Sequence, residues 1–374
     1  MTIGNRYRNT YAEIDLEAIE YNVIKLKSLL PQNSKMMGVV KADGYGHGSV
    51  PVAKRMLDKG VDFLMVALLE EAVTLRENGI TVPILVVGRV APKFASVAAE
   101  MDITVAVFQL EWLQEVEQRG LTKPISTHLE LETGMGRTGV VTEETLTEIL
   151  SQYKRSDNVR LDGVFTHFAT ADEVDSPYYF QQKNRFEEML NHITKYYDEP
   201  LTVHIGNSAA GIQFPEQMKH YTRFGIASYG LYPSNDIREL QNVNLKEAFS
   251  LYSELVQVKK LQPGESVSYG ATYTAIETEW IGTMPIGYGD GWSRSLQGFY
   301  VLINGKKMPI VGRICMDAMM VKLDGPYEVG TKVTLIGRDG GAVISSDDVA
   351  QYLNTINYEI PCMMTSRLIR EYKC

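Results

Sequence analysis

The chain has 374 residues, 44% of them hydrophobic and 22% charged, which exceeds the roughly 250–300 residues at which one core stops growing, so two soluble domains are expected. Thirty-seven Lys and Arg against 46 Asp and Glu give a formal charge of −9, which leaves no surplus of cations to replace the counterions of a polyanion and argues against nucleic acid as a partner. The three cysteines, Cys315, Cys362 and Cys374, match neither a disulfide framework nor a zinc site and read as free thiols.

At the N-terminus, "MTIGNRYRNTYAEIDLEAIE" lacks the basic-then-apolar pattern of a signal peptide, and no apolar run approaches the roughly 20 residues of a membrane helix. A cytoplasmic protein with no membrane partner is expected. Residues 16–30 repeat Ile19, Val23, Leu26 and Leu30 at helical spacing. Short Val-, Ile- and Leu-rich runs then recur at 36–40, 62–67, 83–88, 102–107, 126–131, 161–167, 201–205 and 223–230. Amphipathic segments separate them, among them 142–153, opened by Thr142 as a helix cap.

Strands that alternate with helices need crossover connections, which favour a parallel sheet, and eight such units in about 220 residues are the count and length of a (β/α)8 TIM-type barrel. The doubly wound open sheet is the alternative. In a barrel, functional groups collect where strands end, and Lys41, Arg137, His167 and Asn207 stand at or just beyond such ends. After residue 245 the pattern becomes short alternating stretches broken by Pro-Gly, Asn-Gly and Asp-Gly turns. The expected organisation is therefore a barrel over 1–244 and a mostly β C-terminal domain over 245–374, the latter interrupted by a short helix at 346–354.

The run "MMGVVKADGYGHG" (36–48) raises a chemical question, because a buried strand ends directly on Lys41. Alone, such a lysine reads as a solvated side chain. Glycines 44, 46 and 48 around Tyr45 and His47 would let the backbone approach a ligand, and a lysine whose pKa is lowered in a cationic, partly desolvated site forms a Schiff base with an aldehyde. Pyridoxal 5'-phosphate is the cofactor that needs one. None of the six histidines shows metal-ligand spacing.

The ordered motifs "YAEIDLEAI", "VVKADGYGHG", "LETGMGRTG", "GVFTHFATADE", "HIGNSAA", "RFGIASYGLYP", "KKLQPGESVSYGATY", "GYGDGW", "VGRICMD" and "INYEIPC" resemble the alanine racemase family of fold-type III pyridoxal-phosphate enzymes over nearly the whole chain. The resemblance implies a barrel that carries the cofactor, a β domain that serves the partner's site, and a homodimer with shared active sites. It implies that Lys41 holds the cofactor as an internal aldimine and serves D-alanine, while Tyr269 reaches in from the other subunit and serves L-alanine. Two bases are the simplest way to remove a proton from one face of Cα and return it on the other.

By the same resemblance Arg223 hydrogen-bonds the pyridine nitrogen, and Tyr45, Ser208, Tyr358 and the amides of Gly225 and Ile226 cradle the phosphate. His167 packs on the cofactor, and Asn207 supports that arrangement. Arg137 reaches the cofactor's phenolic oxygen and helps bind the substrate carboxylate with the amide of Met316, beside Asp317. Tyr288 and Tyr358 narrow the entrance, which favours a small side chain such as that of alanine. One departure stands out: many members carry a carbamylated lysine where this chain has Glu130, which would supply the negative charge directly. The expected reaction is interconversion of L- and D-alanine, which supplies D-alanine for peptidoglycan. A serine or broad-specificity racemase and a non-catalytic pyridoxal-phosphate binding protein are the alternatives.

Overall fold

Apolar runs too short to be helices form eight parallel strands that close into a barrel in a computed structural model describing residues 7–374. The first strand of the chain, β1 (Tyr11–Asp15), lies outside that barrel. The barrel strands are β2 (Lys35–Val39), β3 (Phe63–Val66), β4 (Ile84–Val86), β5 (Ile103–Val107), β6 (Ile125–Glu130), β7 (Val159–Phe165), β8 (Thr202–His204) and β9 (Tyr221–Phe224). Every residue of β3, β4 and β5 is buried, as both faces of a parallel strand must be when helices cover the outside. Closure is made by β2 pairing with β9, Lys35 against Tyr221 through Gly38 against Phe224.

Seven of the eight runs match these strands in place, and the last does not. The sequence suggests 223–230, whereas β9 is Tyr221–Phe224, and Ile226–Tyr229 form a 3-10 turn ended by Gly230 at φ 85°. All four turn residues are buried, so the stretch is apolar enough to imitate a strand. The helix Leu16–Leu29 buries Ile19, Val23 and Leu26 as its spacing requires. Thr142 caps the helix Glu143–Tyr153 by accepting from the amide of Thr145 at 3.2 Å.

The described residues fall into two compact units. One contains Ile19–Gly44 and Ser49–Lys246; the other contains the residues up to Ala18, Tyr45–Gly48 and Glu247–Cys374. In the second unit β1 pairs antiparallel with Phe249–Glu254 and parallel with Ile369–Lys373, so strands from both ends of the chain share one seven-stranded sheet. A three-stranded sheet joins Gln257–Leu261, Glu279–Met284 and Met319–Leu323. The helix Ser346–Leu353 interrupts the strands, capped by Ser345. Among the described residues no helix is long and apolar enough to cross a membrane.

Candidate active site

The carboxyl ends of β2, β6, β7, β8 and β9 carry the barrel's share of the sequence-predicted site. Lys41 lies two residues beyond β2. After it, Ala42, Asp43, Gly44 and Tyr45 all take left-handed backbone angles, with φ of 52°, 51°, 61° and 53°. Such a run disfavours L-residues by about 1–2 kcal/mol for each non-glycine, so it persists only where its surroundings hold it. The Gly44 amide donates to the Val40 carbonyl at 2.9 Å, the Ser49 amide to Asp43 Oδ1 at 2.8 Å, and the Ala42 amide to Glu71 Oε1 at 2.6 Å. At Gly46 the close approach is to protein backbone, where a Cβ, at φ +80°, would sit 2.1 Å from the Pro361 carbonyl oxygen, and at Gly48 it is to the ring of Tyr372.

Arg223, in β9 and 3% exposed, is held by its two terminal nitrogens. Nη1 donates to the carbonyl and to Nδ1 of His204, both at 2.9 Å. Nη2 donates to the carbonyls of Thr166 at 2.7 Å and Ile205 at 3.2 Å, and to Nδ1 of His167 at 3.1 Å. Because a guanidinium cannot accept, both imidazoles present a bare Nδ1, and His204 carries its hydrogen on Nε2, which lies 2.8 Å from Nδ1 of His128. Burial keeps all three rings neutral: it holds His128 at about 4, and, with the positive charge of Arg223, holds His167 and His204 well below the ordinary value. Arg137 and Lys41 act on His167 in the same direction. Among the described residues no group accepts from Nε of Arg223, so that N–H remains as the donor for a bound acceptor.

Burial lowers Arg223 itself to about 10, opposed by the negative charge of Glu130. Glu130 ends β6, is 4% exposed, and leaves Oε2 without a hydrogen-bond partner. Burial raises its carboxyl, against a hydrogen bond from Thr138 and the charges of Arg137 and Arg223. Arg137 itself is exposed, and among the described residues it makes no ion pair with Glu130. Its loop is organised by Glu132, a residue that no motif marks as functional. Burial opposes ionisation of Glu132, but the amides of Gly136, Gly134, Arg137 and Met135 outweigh it and hold the carboxyl below its usual range.

Beyond β8, Asn207 caps the helix Ser208–Gln213 by accepting from the Ala210 amide at 3.0 Å, so the cap is Asn207 and Ser208 is the first helical residue. Ser208 Oγ accepts from the amides of Gly225 at 3.0 Å and Ala227 at 3.5 Å, which leaves its own O–H to donate. Ile226 opens the 3-10 turn after β9, where first amides have no partner within the turn. Together these donors suit a group that offers one ring-nitrogen acceptor and one oxyanion.

The other predicted residues belong to the second unit. Tyr269 is 71% exposed on a turn in which Ser268, Gly270 and Ala271 all have positive φ. The Arg313 guanidinium lies against Gly270, 3.0 Å from where its Cβ would be. Met316 is 52% exposed, and its carbonyl accepts from the Gly289 amide at 2.9 Å, which places it beside Tyr288. Asp317 accepts from Arg367 at 2.7 Å. The rings of Tyr45 and Tyr358 lie 6.3 Å apart, and burial raises the Tyr45 phenol far above its ordinary value, so its hydroxyl stays protonated. Among the described residues no cluster of metal-ligating side chains occurs.

Two family models match the chain: "Alanine racemase, N-terminal domain" over residues 14–233 and "Alanine racemase, C-terminal domain" over residues 248–372. The alanine racemase of Geobacillus stearothermophilus is 53% identical over 365 residues, covering 97% of this chain and 93% of that protein. Alanine racemase 1 of Bacillus subtilis (strain 168) is 46% identical, with 98% and 93% covered. The crystal structure of alanine racemase from Bacillus anthracis with bound L-Ala-P superposes with a TM-score of 0.96 at 43% identity, covering 99% of this chain and 96% of that one.

Proposed function

The chain belongs to the alanine racemase family, and on that premise we propose that it interconverts L- and D-alanine with two acid/base groups acting on opposite faces of Cα. The observation that carries this reading is the geometry of Arg223, whose terminal nitrogens are all committed to protein acceptors while Nε–H is left for a ring nitrogen. Pyridoxal phosphate, when bound, supplies an electron sink that makes the Cα proton acidic. Arg223 hydrogen-bonds the ring nitrogen without giving up a proton, because a guanidinium stays charged even at the lowered value of about 10. That keeps the sink weak, which suits a reaction that must return a proton quickly.

Lys41 holds the cofactor and exchanges the proton on the D face, and Tyr269 exchanges it on the L face. Ser208, Tyr45, Tyr358 and the amides of Gly225 and Ile226 take the phosphate. His167, kept neutral, packs on the ring, and Asn207 fixes the helix from which Ser208 projects. Arg137 and the amide of Met316 orient the substrate carboxylate, with Asp317 beside them, and Tyr288 and Tyr358 restrict the side chain to about the size of a methyl group. We assign Tyr269, Tyr288 and Met316 to the site of a second subunit, a reading supported by their exposure in the single chain. The barrel then binds the cofactor, and the β domain completes the partner's site.

The test is proton–deuteron exchange at Cα of each enantiomer, with purified protein and added pyridoxal phosphate in heavy water. Both enantiomers should exchange and racemise, and absence of both would sink the reading. In Tyr269→Ala, exchange of L-alanine should fall by about 100-fold or more while that of D-alanine is less affected; equal losses would undo the face assignment.

A further inference from the structure

Glu71 sits at the third position of the helix Leu69–Glu77, where a glutamate commonly reaches back to the first free amides of its own helix. It does so here: Oε2 accepts from Leu68 at 3.0 Å and Ala67 at 2.8 Å. Helix capping does not account for its other oxygen. Oε1 accepts, at 2.6 Å, from the amide of Ala42, which is 29 positions away in sequence and follows Lys41 directly.

One carboxylate therefore joins the loop after β3 to the loop after β2. The amide it grips opens the left-handed run Ala42–Tyr45. L-residues leave that conformation unless held, and the first peptide of the run also sets the direction of the Cα–Cβ bond of Lys41. The other end of that short span is pinned, since Val40 donates to the Met65 carbonyl at 2.9 Å within the barrel. Lys41 thus lies between two backbone anchors, one supplied by the sheet and one by Glu71.

We propose that Glu71 is the positioning residue for Lys41: its carboxylate fixes the left-handed turn so that the lysine amine meets the cofactor and Cα at the reactive angle. This rests on the reading that Lys41 carries the cofactor. It assigns no proton transfer to Glu71, whose oxygens are both occupied by amides.

The test uses the full chain loaded with pyridoxal phosphate and compares wild type, Glu71→Gln, and Glu71→Gln combined with Ala42→Gly. Glutamine keeps one acceptor oxygen for the Leu68 and Ala67 amides but turns a donor toward Ala42, so the helix cap survives while the turn loses its anchor. In Glu71→Gln, kcat should fall about 10- to 100-fold with KM for L-alanine within about threefold. Borohydride trapping of the cofactor on Lys41, followed by peptide mass mapping, should slow in parallel, and the melting temperature should barely move. Glycine at 42 removes the steric penalty of the left-handed conformation, so the double variant should regain most of the lost kcat and trapping rate.

Wild-type kcat and trapping in Glu71→Gln would overturn the proposal. So would a loss that Ala42→Gly does not relieve and that follows the melting temperature, which is the pattern of a purely structural residue. Trapping on a lysine other than Lys41 in the wild type would overturn the assignment of Lys41 first, and this proposal with it.

Discussion

Nδ1 of His128 lies 2.8 Å from Nε2 of His204, and because Arg223 donates to the other nitrogen of His204, the contact has one direction: His204 donates and His128 accepts. Protonating His128 reverses that requirement. Its pKa of about 4, against an ordinary 6.5, means that the unfolded chain binds the proton more readily than the native one. Stability should therefore fall as pH drops from about 6.5 toward about 4, by up to about 3 kcal/mol from this group. Urea unfolding over that range should show the slope, and His128→Gln, which keeps an acceptor for His204, should flatten it.

Glu130 exchanges stability for charge. With its carboxyl raised by burial, ionisation is disfavoured in the native state, so the contribution of this group to stability is present below the ordinary carboxyl range and lost as pH rises through the raised value. Glu130→Gln should accordingly stabilise the protein at neutral pH while removing the anion beside Arg223 and Arg137. Turnover should fall and KM for alanine should rise. Unchanged kcat and KM would remove Glu130 from the site.

Gly46 offers a stability test independent of the chemistry. Alanine there combines φ +80° with a Cβ 2.1 Å from the Pro361 carbonyl, and the backbone oxygen cannot move aside as a flexible side chain would. We expect Gly46→Ala to destabilise by about 2–4 kcal/mol, read as a lowered midpoint of chemical unfolding. An unchanged midpoint would mean that the loop relaxes freely.

The proposed sharing of sites between subunits has a signature in mixing. Lys41→Ala and Tyr269→Ala should each be nearly inactive. When they are unfolded and refolded together, half of the dimers are mixed, and each mixed dimer holds one site with both residues. Activity should recover to about a quarter of wild type. No recovery would place both residues in one chain's site, or the site outside a dimer.

The barrel was legible because its strands are short, apolar and spaced by amphipathic helices, a pattern that survives without knowledge of any contact. The end of β9 was not, because the buried 3-10 turn Ile226–Tyr229 has a strand's composition. Lys41 and Arg223 became interpretable only through motifs far from them, since a strand-end lysine or a buried arginine is locally unremarkable. No spacing rule marks Glu71, Glu132, His128 and His204, because each acts through hydrogen bonds to backbone or ring atoms whose positions only the folded loops and strands define. The extra acceptor role of Glu71 toward Ala42 has no local signal beyond a helix-start glutamate.

Two separate bases would leave their mark in the isotope found at Cα during the first turnovers of L-alanine in heavy water. Two bases on opposite faces predict that the D-alanine formed carries deuterium from the solvent in essentially every molecule, while L-alanine still unconverted at that stage carries mainly protium. D-alanine that retains the substrate's own proton would show one base working both faces and would contradict the assignment of Lys41 and Tyr269.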